Sequence, residues 1–317
     1  MEQRSIGQLG TSVMGLGCNN FGSRMDLEAV EGVFHACLDS GVTFFDTADV
    51  YGNGASEELL GQVVKGHRNE VVIASKFGYA GVDLGLTGGS AEWVRRAVDR
   101  SLRRLDTDWI DLYQIHKPDN DVAHSETLGA LHELVVAGKV REIGCSNYDA
   151  EQLDGAADVA KRDGLTPYRS IQNRYSLLHR DPEQEVLEVC ANRDVAFLPF
   201  FPLESGLLTG KVHSGGPPPG TRLADWSEDR TATFLSDVKV RTAARLEDWC
   251  RHRGRTLLEL AVNWLLMRPA VSSVIAGATS PEQVLANADA VGWRLNDIEM
   301  AEVADIVTTD PGPADPD

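Results

Sequence analysis

The chain has 317 residues, 42% hydrophobic and 25% charged, a balance that excludes a disordered chain and fits an ordinary globular protein. Its 30 basic and 48 acidic side chains give a formal charge of −18, which argues against a nucleic-acid backbone or an anionic membrane surface as partner. No apolar stretch is long enough to span a membrane and no secretory signal is visible, so we expect a cytoplasmic protein. The five cysteines are widely spaced without a CxxC pair, which predicts packing thiols rather than disulfides or a metal site.

Apolar, strand-like runs alternate with amphipathic, helix-like stretches along nearly the whole chain, the pattern of repeated βα units. After a hairpin over residues 4–13 that turns at Leu9-Gly10, strands are predicted at residues 14–17, 42–45, 71–75, 110–115, 140–145, 169–172, 195–199 and 272–275. Helices are predicted at residues 27–40, 56–65, 90–105, 127–137, 150–161, 182–193, 238–254 with 256–267, and 281–290. The predicted helix N-caps are Ser56, Ser90 and Ser280, the last followed by Pro281.

Eight βα units in a chain of this length predict an α/β fold: a closed (β/α)8 TIM barrel with an N-terminal β-hairpin and extra helices. We expect one domain over residues 1–307 and a flexible acidic tail over residues 308–317. A doubly wound sheet with a second domain is the alternative, but its GxGxxG signature is missing. The irregular segment 212–236 contains a Gly- and Pro-rich run and is predicted as a lid or pocket wall.

Four polar residues stand at the ends of three successive predicted strands. Asp46 and Tyr51 follow the second barrel strand, Lys76 follows the third, and His116 follows the fourth. The carboxyl ends of barrel strands meet on one face, where an acid, a phenol, an amine and an imidazole can move protons at a carbonyl. Each residue also has a structural interpretation, such as a barrel salt bridge between Lys76 and Asp46 or simple packing of Tyr51. Their concentration at one end of the barrel favours the functional interpretation.

The sequence around these residues resembles the three active-site signatures of the aldo-keto reductases. The resemblance covers nearly the whole chain, and its signature runs are residues 41–52, 72–76 and 111–116. It implies that Asp46, Tyr51, Lys76 and His116 form the catalytic tetrad of that family. Tyr51 is then the proton donor, Lys76 paired with Asp46 makes that proton available nearer neutral pH, and His116 orients the substrate carbonyl.

The resemblance also implies a nicotinamide cofactor bound across the same face. The implied contacts are Gly17, Cys18, Asn19, Asp46, Ser146, Asn147, Gln172, Phe200, Pro202, Leu203, Gly206, Leu207, Lys211, Gly277, Ser280, Gln283 and Asn287. Phe200 stands where many relatives have a tyrosine, and it keeps the aromatic ring for stacking on nicotinamide. The segment 203–211 resembles the family's pyrophosphate loop. It also suggests a Walker A motif, but it is one residue short for that motif.

The expected cofactor is NADP(H), the default of the family. Many relatives hold its 2′-phosphate with arginine or lysine, but residues 276–287 contain neither, so NAD(H) stays open. The substrate pocket is expected to be formed by loops over residues 117–124 and 212–236 and by the side chains of Asn20, Phe21, Tyr51, Phe77 and His116. Phe21 and Phe77 could equally pack at the rim of the barrel.

The leading hypothesis is an oxidoreductase that reduces a small aldehyde or ketone to an alcohol, with the reverse oxidation open to the same groups. One alternative is a barrel that binds the cofactor as a regulatory or sensor subunit with little turnover. Another is an isomerase or aldolase that uses Lys76 as a Schiff-base amine. The complete tetrad favours catalysis, and the cofactor-like segments have no role in a Schiff-base enzyme. The sequence predicts neither the particular carbonyl substrate nor the oligomeric state.

Overall fold

The computed structural model describes residues 1–79, 88–211, 224 and 235–309, which form the predicted (β/α)8 barrel behind an N-terminal hairpin. The hairpin strands are β1 (Gln3–Ile6) and β2 (Leu9–Ser12). The barrel strands are β3 (Met14–Gly17), β4 (Phe44–Asp46), β5 (Val72–Phe77), β6 (Ile110–Ile115), β7 (Val140–Ser146), β8 (Ser170–Arg174), β9 (Ala196–Phe200) and β10 (Val274–Gly277). The helices are α1 (Leu27–Ser40), α2 (Ala55–Val63), α3 (Ala91–Leu105), α4 (His124–Val136), α5 (Ala150–Asp163), α6 (Val186–Arg193), α7 (Asp237–Arg251), α8 (Leu257–Leu266), α9 (Pro281–Asp289) and α10 (Asp297–Thr308).

The eight barrel strands are parallel and lie in the order β10-β3-β4-β5-β6-β7-β8-β9. The barrel closes through Phe197 of β9, which pairs with Val271 shortly before β10. The amide of Phe197 donates to the carbonyl of Ala270 at 2.7 Å, and the amide of Ser272 donates to the carbonyl of Phe197 at 3.1 Å. These bonds join the two end strands of the sheet.

The inside of the barrel is filled by a small apolar cluster that is separate from the larger core between strands and helices. Successive side chains of a strand point to opposite faces, so a single strand can contribute to both cores, as β4, β5, β6, β9 and β10 do. The inner cluster consists of Ile6, Leu9, Phe44, Ala74, Leu112, Leu198 and Ile275. Ile6 and Leu9 belong to the hairpin, which therefore closes the amino-terminal end of the barrel. The carboxyl-terminal end is left for the polar residues.

The predicted hairpin turn at Leu9-Gly10 is wrong. The turn lies at Gly7 and Gln8, and Gly7 adopts a left-handed φ of 55° that favours glycine. Leu9 is a strand residue with 7% exposure. Burial of its apolar side chain in the barrel mouth outweighs the turn preference of the Leu9-Gly10 pair.

The predicted helix starts are confirmed in part. Ser280 caps α9 by accepting a hydrogen bond from the amide of Gln283, with proline at the start of the helix. Ser90 occupies the N-cap position of α3, but its side chain makes no capping bond to the helix. Ser56 is not a cap, because α2 begins one residue earlier, after Gly54, and the Ser56 side chain is buried.

Helix α10 was not predicted, although its start carries a local signal. The side chain of Asn296 accepts from the amide of Glu299, and the Glu299 carboxylate accepts from the amide of Asn296, which is a capping box. Because α10 ends at Thr308, the first residue assigned to the tail is helical; residues 310–317 lie outside the described part. The predicted lid over residues 212–236 also lies outside it, except for residues 224, 235 and 236. Within the described ranges, no helix is long and apolar enough to cross a membrane.

Candidate active site

The four predicted residues meet at the carboxyl-terminal end of the barrel, on or directly after the ends of β4, β5 and β6. Asp46 and Lys76 each lie two positions beyond an apolar side chain of the inner cluster, so both point inward just above it. Tyr51 begins a 3-10 turn, Tyr51–Gly54, that connects β4 to α2. His116 directly follows β6, and its amide donates to the carbonyl of Phe77 at 2.6 Å.

Lys76 is the centre of the site. Its Nζ donates to Asp46 Oδ2 at 2.6 Å, to the carbonyl of Thr47 at 3.0 Å and to the Tyr51 hydroxyl at 3.4 Å. The other oxygen of Asp46 accepts a hydrogen bond from Gln172 Nε2 at 2.9 Å. Burial alone would lower the pKa of Lys76, but the charge of Asp46 and the nearby Tyr51 hydroxyl raise it above its ordinary value of 10.5. Lys76 is therefore a buried ammonium group at neutral pH.

Tyr51 and His116 face each other across the site. Their rings meet edge to face, with centroids 5.8 Å apart and an angle of 82° between the ring planes. Burial, together with the charges of Lys76 and Lys117, lowers the pKa of His116 to about 3. The imidazole is therefore neutral at physiological pH and carries one N–H. Its Nδ1 is buried and has no hydrogen-bond partner among the described residues.

The residues predicted to hold the nicotinamide end form one hydrogen-bonded group at the ends of β7 and β8. The Ser146 hydroxyl donates to the carbonyl of Gln172 at 2.6 Å, and Asn147 Nδ2 donates to the carbonyl of His116 at 2.8 Å. Asn147 has a left-handed φ of 60°, and its amide donates to Asn173 Oδ1 at 2.7 Å. Since Gln172 also binds Asp46, this group lies directly beside the lysine–carboxylate pair.

The loop after β3 offers an asparagine side chain rather than a thiol. Cys18 is fully buried, and burial followed by the charge of Asp46 raises the pKa of its thiol. Its side chain is thus packed in the core, and its backbone is engaged as well, because its amide donates to the carbonyl of Asp46 at 2.8 Å and its carbonyl accepts from the Ser56 hydroxyl. The next residue, Asn19, has a buried Oδ1 without a hydrogen-bond partner in the described part of the chain. That oxygen is an acceptor available to a bound molecule.

The predicted pyrophosphate loop has an unusual backbone that is held by buried charges. Two of its non-glycine residues have left-handed φ values, Glu204 at 45° and Ser205 at 55°, and so does Phe201 at 51°, two positions before the loop. The Glu204 carboxylate has no exposed surface and accepts from Arg174 at 2.7 Å and from the Ser176 hydroxyl at 2.8 Å. Such strained segments occur at ligand clamps when neighbouring contacts hold them in place. These contacts of Glu204 were not predicted from the sequence, because they join residues far apart in the chain.

At the predicted adenosine end, the polar side chains bind backbone amides of the same segment. Gln283 Oε1 accepts from the amide of Thr279 at 2.8 Å, while the Ser280 hydroxyl accepts from the amide of Gln283 at 3.4 Å. Asn287 is buried at 8% exposure, and Glu282 is exposed at the start of the same helix. No cation from residues 276–287 is available here to bind a 2′-phosphate.

The structure corrects two of the predicted pocket residues. Phe77 has no exposed surface and stacks on Tyr113, with ring centroids 4.8 Å apart. It follows the inward-facing Lys76, so strand alternation turns it outward toward the helices. Phe21 is likewise fully buried in the main core. Both residues therefore pack rather than line a cavity, whereas Asn20 retains 8% exposure, and its Nδ2 lies 3.7 Å from where a Cβ on Gly277 would be.

A (β/α)8 barrel with a group of polar side chains at the carboxyl-terminal end of its strands is the arrangement of barrel enzymes, whose active sites lie on that face. A model of the Aldo/keto reductase family matches residues 13–308. The chain therefore belongs to the aldo-keto reductase family, whose enzymes are oxidoreductases that generally use NAD(P)H and act on small carbonyl compounds. The family and the enzyme class predicted from the sequence are thus confirmed.

The similar proteins include both reductases and channel subunits. Aldo-keto reductase YhdN from Bacillus subtilis (strain 168) is 34% identical, over 97% of this chain and 94% of the relative. A probable voltage-gated potassium channel subunit beta from Arabidopsis thaliana is 30% identical, over 98% of each chain. Among solved structures, the glycerol dehydrogenase AKR11B4 from Gluconobacter oxydans matches with a TM-score of 0.85 at 30% identity, over 99% of this chain and 98% of that chain.

Proposed function

We propose that this protein reduces an aldehyde or ketone to an alcohol, with Tyr51 as the proton donor and NADP(H) as the cofactor. One observation carries the proposal: the buried Lys76 ammonium lies 2.6 Å from an Asp46 oxygen and 3.4 Å from the Tyr51 hydroxyl. Such an arrangement supplies a proton where a carbonyl oxygen becomes an alkoxide. In the oxidative direction the same phenol would accept the proton.

The Lys76 charge explains how a phenol could donate a proton near neutral pH. A cation beside the phenol oxygen stabilises the phenolate that remains after Tyr51 has given its proton away. Asp46 keeps the ammonium in place, and Gln172 holds Asp46 from the other side at 2.9 Å. The geometry of the donor is thus set before a substrate arrives, so little reorganisation is needed during the reaction.

His116 would orient the substrate. As a neutral imidazole it can donate one hydrogen bond to the carbonyl oxygen without adding a second positive charge beside Lys76. Its backbone carbonyl is bound by Asn147, which fixes the segment that carries the ring. A carbonyl oxygen between Tyr51 and His116 would accept hydrogen bonds from both.

Several residues fit a nicotinamide cofactor, which supplies the hydride when bound. Ser146, Asn147 and Gln172 present polar groups beside the site, Phe200 presents a half-buried ring, and the Asn19 side chain has an unused buried acceptor. We propose NADP(H) as the cofactor and keep NAD(H) as its competitor. NAD(H) competes because the position where a cation would select the 2′-phosphate of NADP(H) is occupied by Thr279 and Gln283, which bind each other.

A second candidate function is a cofactor-binding regulatory barrel with little turnover, which the potassium channel relative brings into consideration. The Schiff-base alternative is disfavoured by the site itself. An amine must be neutral to attack a carbonyl, whereas Asp46 holds Lys76 in its charged form.

The test is a titration with NADPH and NADH, followed by a panel of aldehydes and ketones with the preferred cofactor. The Tyr51→Phe variant is expected to bind cofactor normally and to lose about 10²- to 10⁴-fold in rate, the usual contribution of a positioned acid. Tyr168→Phe, at a buried tyrosine that packs against Tyr148, is the control and should keep the parental rate. Cofactor binding without reduction of any carbonyl would instead support the regulatory barrel.

A further inference from the structure

The turn that carries Tyr51 is built from residues that adopt left-handed backbone readily. Within Tyr51–Gly54, Gly52 has a φ of 56°, Asn53 of 55° and Gly54 of 97°, and no side chain caps the start of the turn. The residues that follow the turn make the tertiary contacts that can fix the position of the Tyr51 hydroxyl.

Two consecutive side chains after the turn, Ser56 and Glu57, are fully buried and bind the ends of the neighbouring strands. The Ser56 hydroxyl donates to the carbonyl of Cys18 at 2.8 Å, so it accepts from the Thr47 hydroxyl, which lies 2.7 Å away. Thr47 in turn presents its carbonyl to Lys76. Ser56 thus connects the turn to the ends of β3 and β4.

Glu57 connects the turn to the strand of Lys76. One oxygen of its carboxylate accepts from the hydroxyl of Ser75, the residue directly before Lys76. Because side chains alternate along β5, Glu57 binds the outer face of the strand whose inner face presents Lys76. A displacement of Glu57 would therefore be transmitted to both partners of the hydrogen bond between Tyr51 and Lys76.

Arg104 of α3 neutralises Glu57 from outside the barrel. Its Nε lies 2.6 Å from Glu57 Oε2, and the pair is mostly buried, with 22% of the arginine side chain and none of the glutamate side chain exposed. The same arginine packs on the turn, since a Cβ added to Gly54 would lie 2.8 Å from Arg104 Cδ. A buried carboxylate needs such a partner, because an unpaired charge is strongly disfavoured there.

We propose that Glu57 and Arg104 form a positioning pair for the proton donor: through Ser75 and Gly54 they hold the Tyr51 turn at hydrogen-bonding distance from Lys76. Neither residue touches the substrate side of the barrel, so both act through Tyr51. This inference rests on the proposed reductase activity for its kinetic readout only. A separation of 3.4 Å between the hydroxyl and Nζ is at the long end of a hydrogen bond, so a further shift would break it.

The charged and titratable groups that face the turn are Asp46, Lys76, His116, Asp49, Glu57 and Arg104. Asp49 has a buried Oδ1 without a hydrogen-bond partner in the described ranges, and burial followed by the charge of Glu57 raises its pKa to about 7. A rate profile near neutral pH would therefore contain the ionisation of Asp49 and could not be assigned to Tyr51 alone. An alkaline difference spectrum of the protein against its Tyr51→Phe variant isolates the phenol, and it needs no substrate.

The experiment compares Arg104→Met with Arg104→Lys, which keeps the charge, and with Glu57→Gln. Arg103→Met is the control, because Arg103 is the exposed neighbour on the same helix. For Arg104→Met we expect kcat to fall on the order of ten- to a hundred-fold with unchanged cofactor affinity. The titration of the Tyr51 phenol should move to higher pH, because the displaced phenolate then lies farther from the Lys76 ammonium. In Arg104→Lys, part of the kcat and part of the shift in the Tyr51 titration should be restored. Arg103→Met should have the parental kcat and the parental titration.

If Arg104→Met does not fold, kcat and the Tyr51 titration of Glu57→Gln and Arg104→Lys test the positioning pair instead. Folded Arg104 and Glu57 variants with parental kcat and an unmoved Tyr51 titration would overturn the proposal. So would a loss of kcat matched by a loss of cofactor affinity with the titration unmoved, which is the sign of a merely structural role. If the parent reduces no carbonyl, the reductase function fails, while the Tyr51 titration still tests the positioning pair.

Discussion

Replacing Lys76 with methionine is expected to destabilise the fold by about 3–5 kcal/mol, the cost of removing one partner from a buried ion pair. The pair is nearly free of solvent, with 0% of the lysine and 5% of the aspartate side chain exposed. In the variant the Asp46 carboxylate keeps its hydrogen bond from Gln172 but loses the cation 2.6 Å away. Methionine fills most of the space of the lysine stem, so the expected loss comes from the charge rather than from a cavity.

The assay is urea unfolding of the parent, Lys76→Met, Asp46→Asn and the double variant near pH 7, read as a double-mutant cycle. We expect the double variant to lose less than the sum of the single variants, because it contains no unpaired buried charge. Lys139→Met is the matched control: Lys139 lies 2.6 Å from Asp99, the same separation, but the side chains of that pair are 41% and 47% exposed. It should lose less than about 1 kcal/mol, as surface pairs do.

The pair also has a predicted pH dependence. The pKa of Lys76 is raised in the folded state, so its contribution to stability is fully present below its ordinary value of 10.5 and is lost as the pH rises through the folded value. The parent should therefore lose stability on the alkaline side more steeply than Lys76→Met. A Lys76→Met loss below about 1 kcal/mol, or strict additivity in the cycle, would refute the view that this charge pair is desolvated and coupled.

Three further predictions concern single side chains. The pKa of His116 is lowered to about 3, so it adds stability that is present above its ordinary value of 6.5 and lost as the pH falls toward about 3. An NMR titration of the ring should show no protonation at mildly acidic pH, and a midpoint near the ordinary value would contradict the buried geometry. Thr279→Arg should raise the ratio of kcat/KM for NADPH over NADH by about tenfold or more, since one charged hydrogen bond contributes about 1.5–3 kcal/mol. Thr279→Gln is its uncharged control, and an unchanged ratio in the arginine variant would place the 2′-phosphate elsewhere. Gly61→Ala should destabilise the protein by about 1–3 kcal/mol despite the better helix propensity of alanine, because the new Cβ would lie 2.6 Å from the carbonyl oxygen of Leu105. Urea unfolding measures the change, and a gain in stability would show that α2 and α3 can separate.

The barrel and the four site residues could be predicted because their signals are local. A parallel strand buried on both faces is a short apolar run, and the first polar residues after it lie on the face where the strands end. The alternation within β5 then predicts that Lys76 points inward and that Phe77 points outward. The pocket prediction for Phe77 ignored that alternation, and the structure accordingly places the ring on Tyr113.

Other features have signals that compete or lie far apart in the sequence. The pair Leu9-Gly10 has the sequence of a turn, but the Leu9 side chain is buried in the inner cluster at the end of the barrel. The turn therefore lies at Gly7 and Gln8. The capping box of Asn296 and Glu299 is a local sequence pattern that predicts the start of α10, although the helix was not predicted from it. In contrast, the bond between Arg174 and Glu204 joins residues 30 positions apart, and no local pattern indicates it.

Ser56 and Glu57 show why supporting residues are harder to predict than reacting ones. A serine before glutamates at the start of an amphipathic stretch predicts a helix cap, and that local interpretation is self-consistent. The structure uses both side chains for tertiary contacts instead, and the partner of Glu57 lies 47 positions away on the next helix. Only the packing of α2 against α3 brings Arg104 to that carboxylate. A strand end determines which groups can react, whereas the helix layer outside the barrel determines how closely Tyr51 approaches Lys76, and this second dependence becomes visible only in three dimensions.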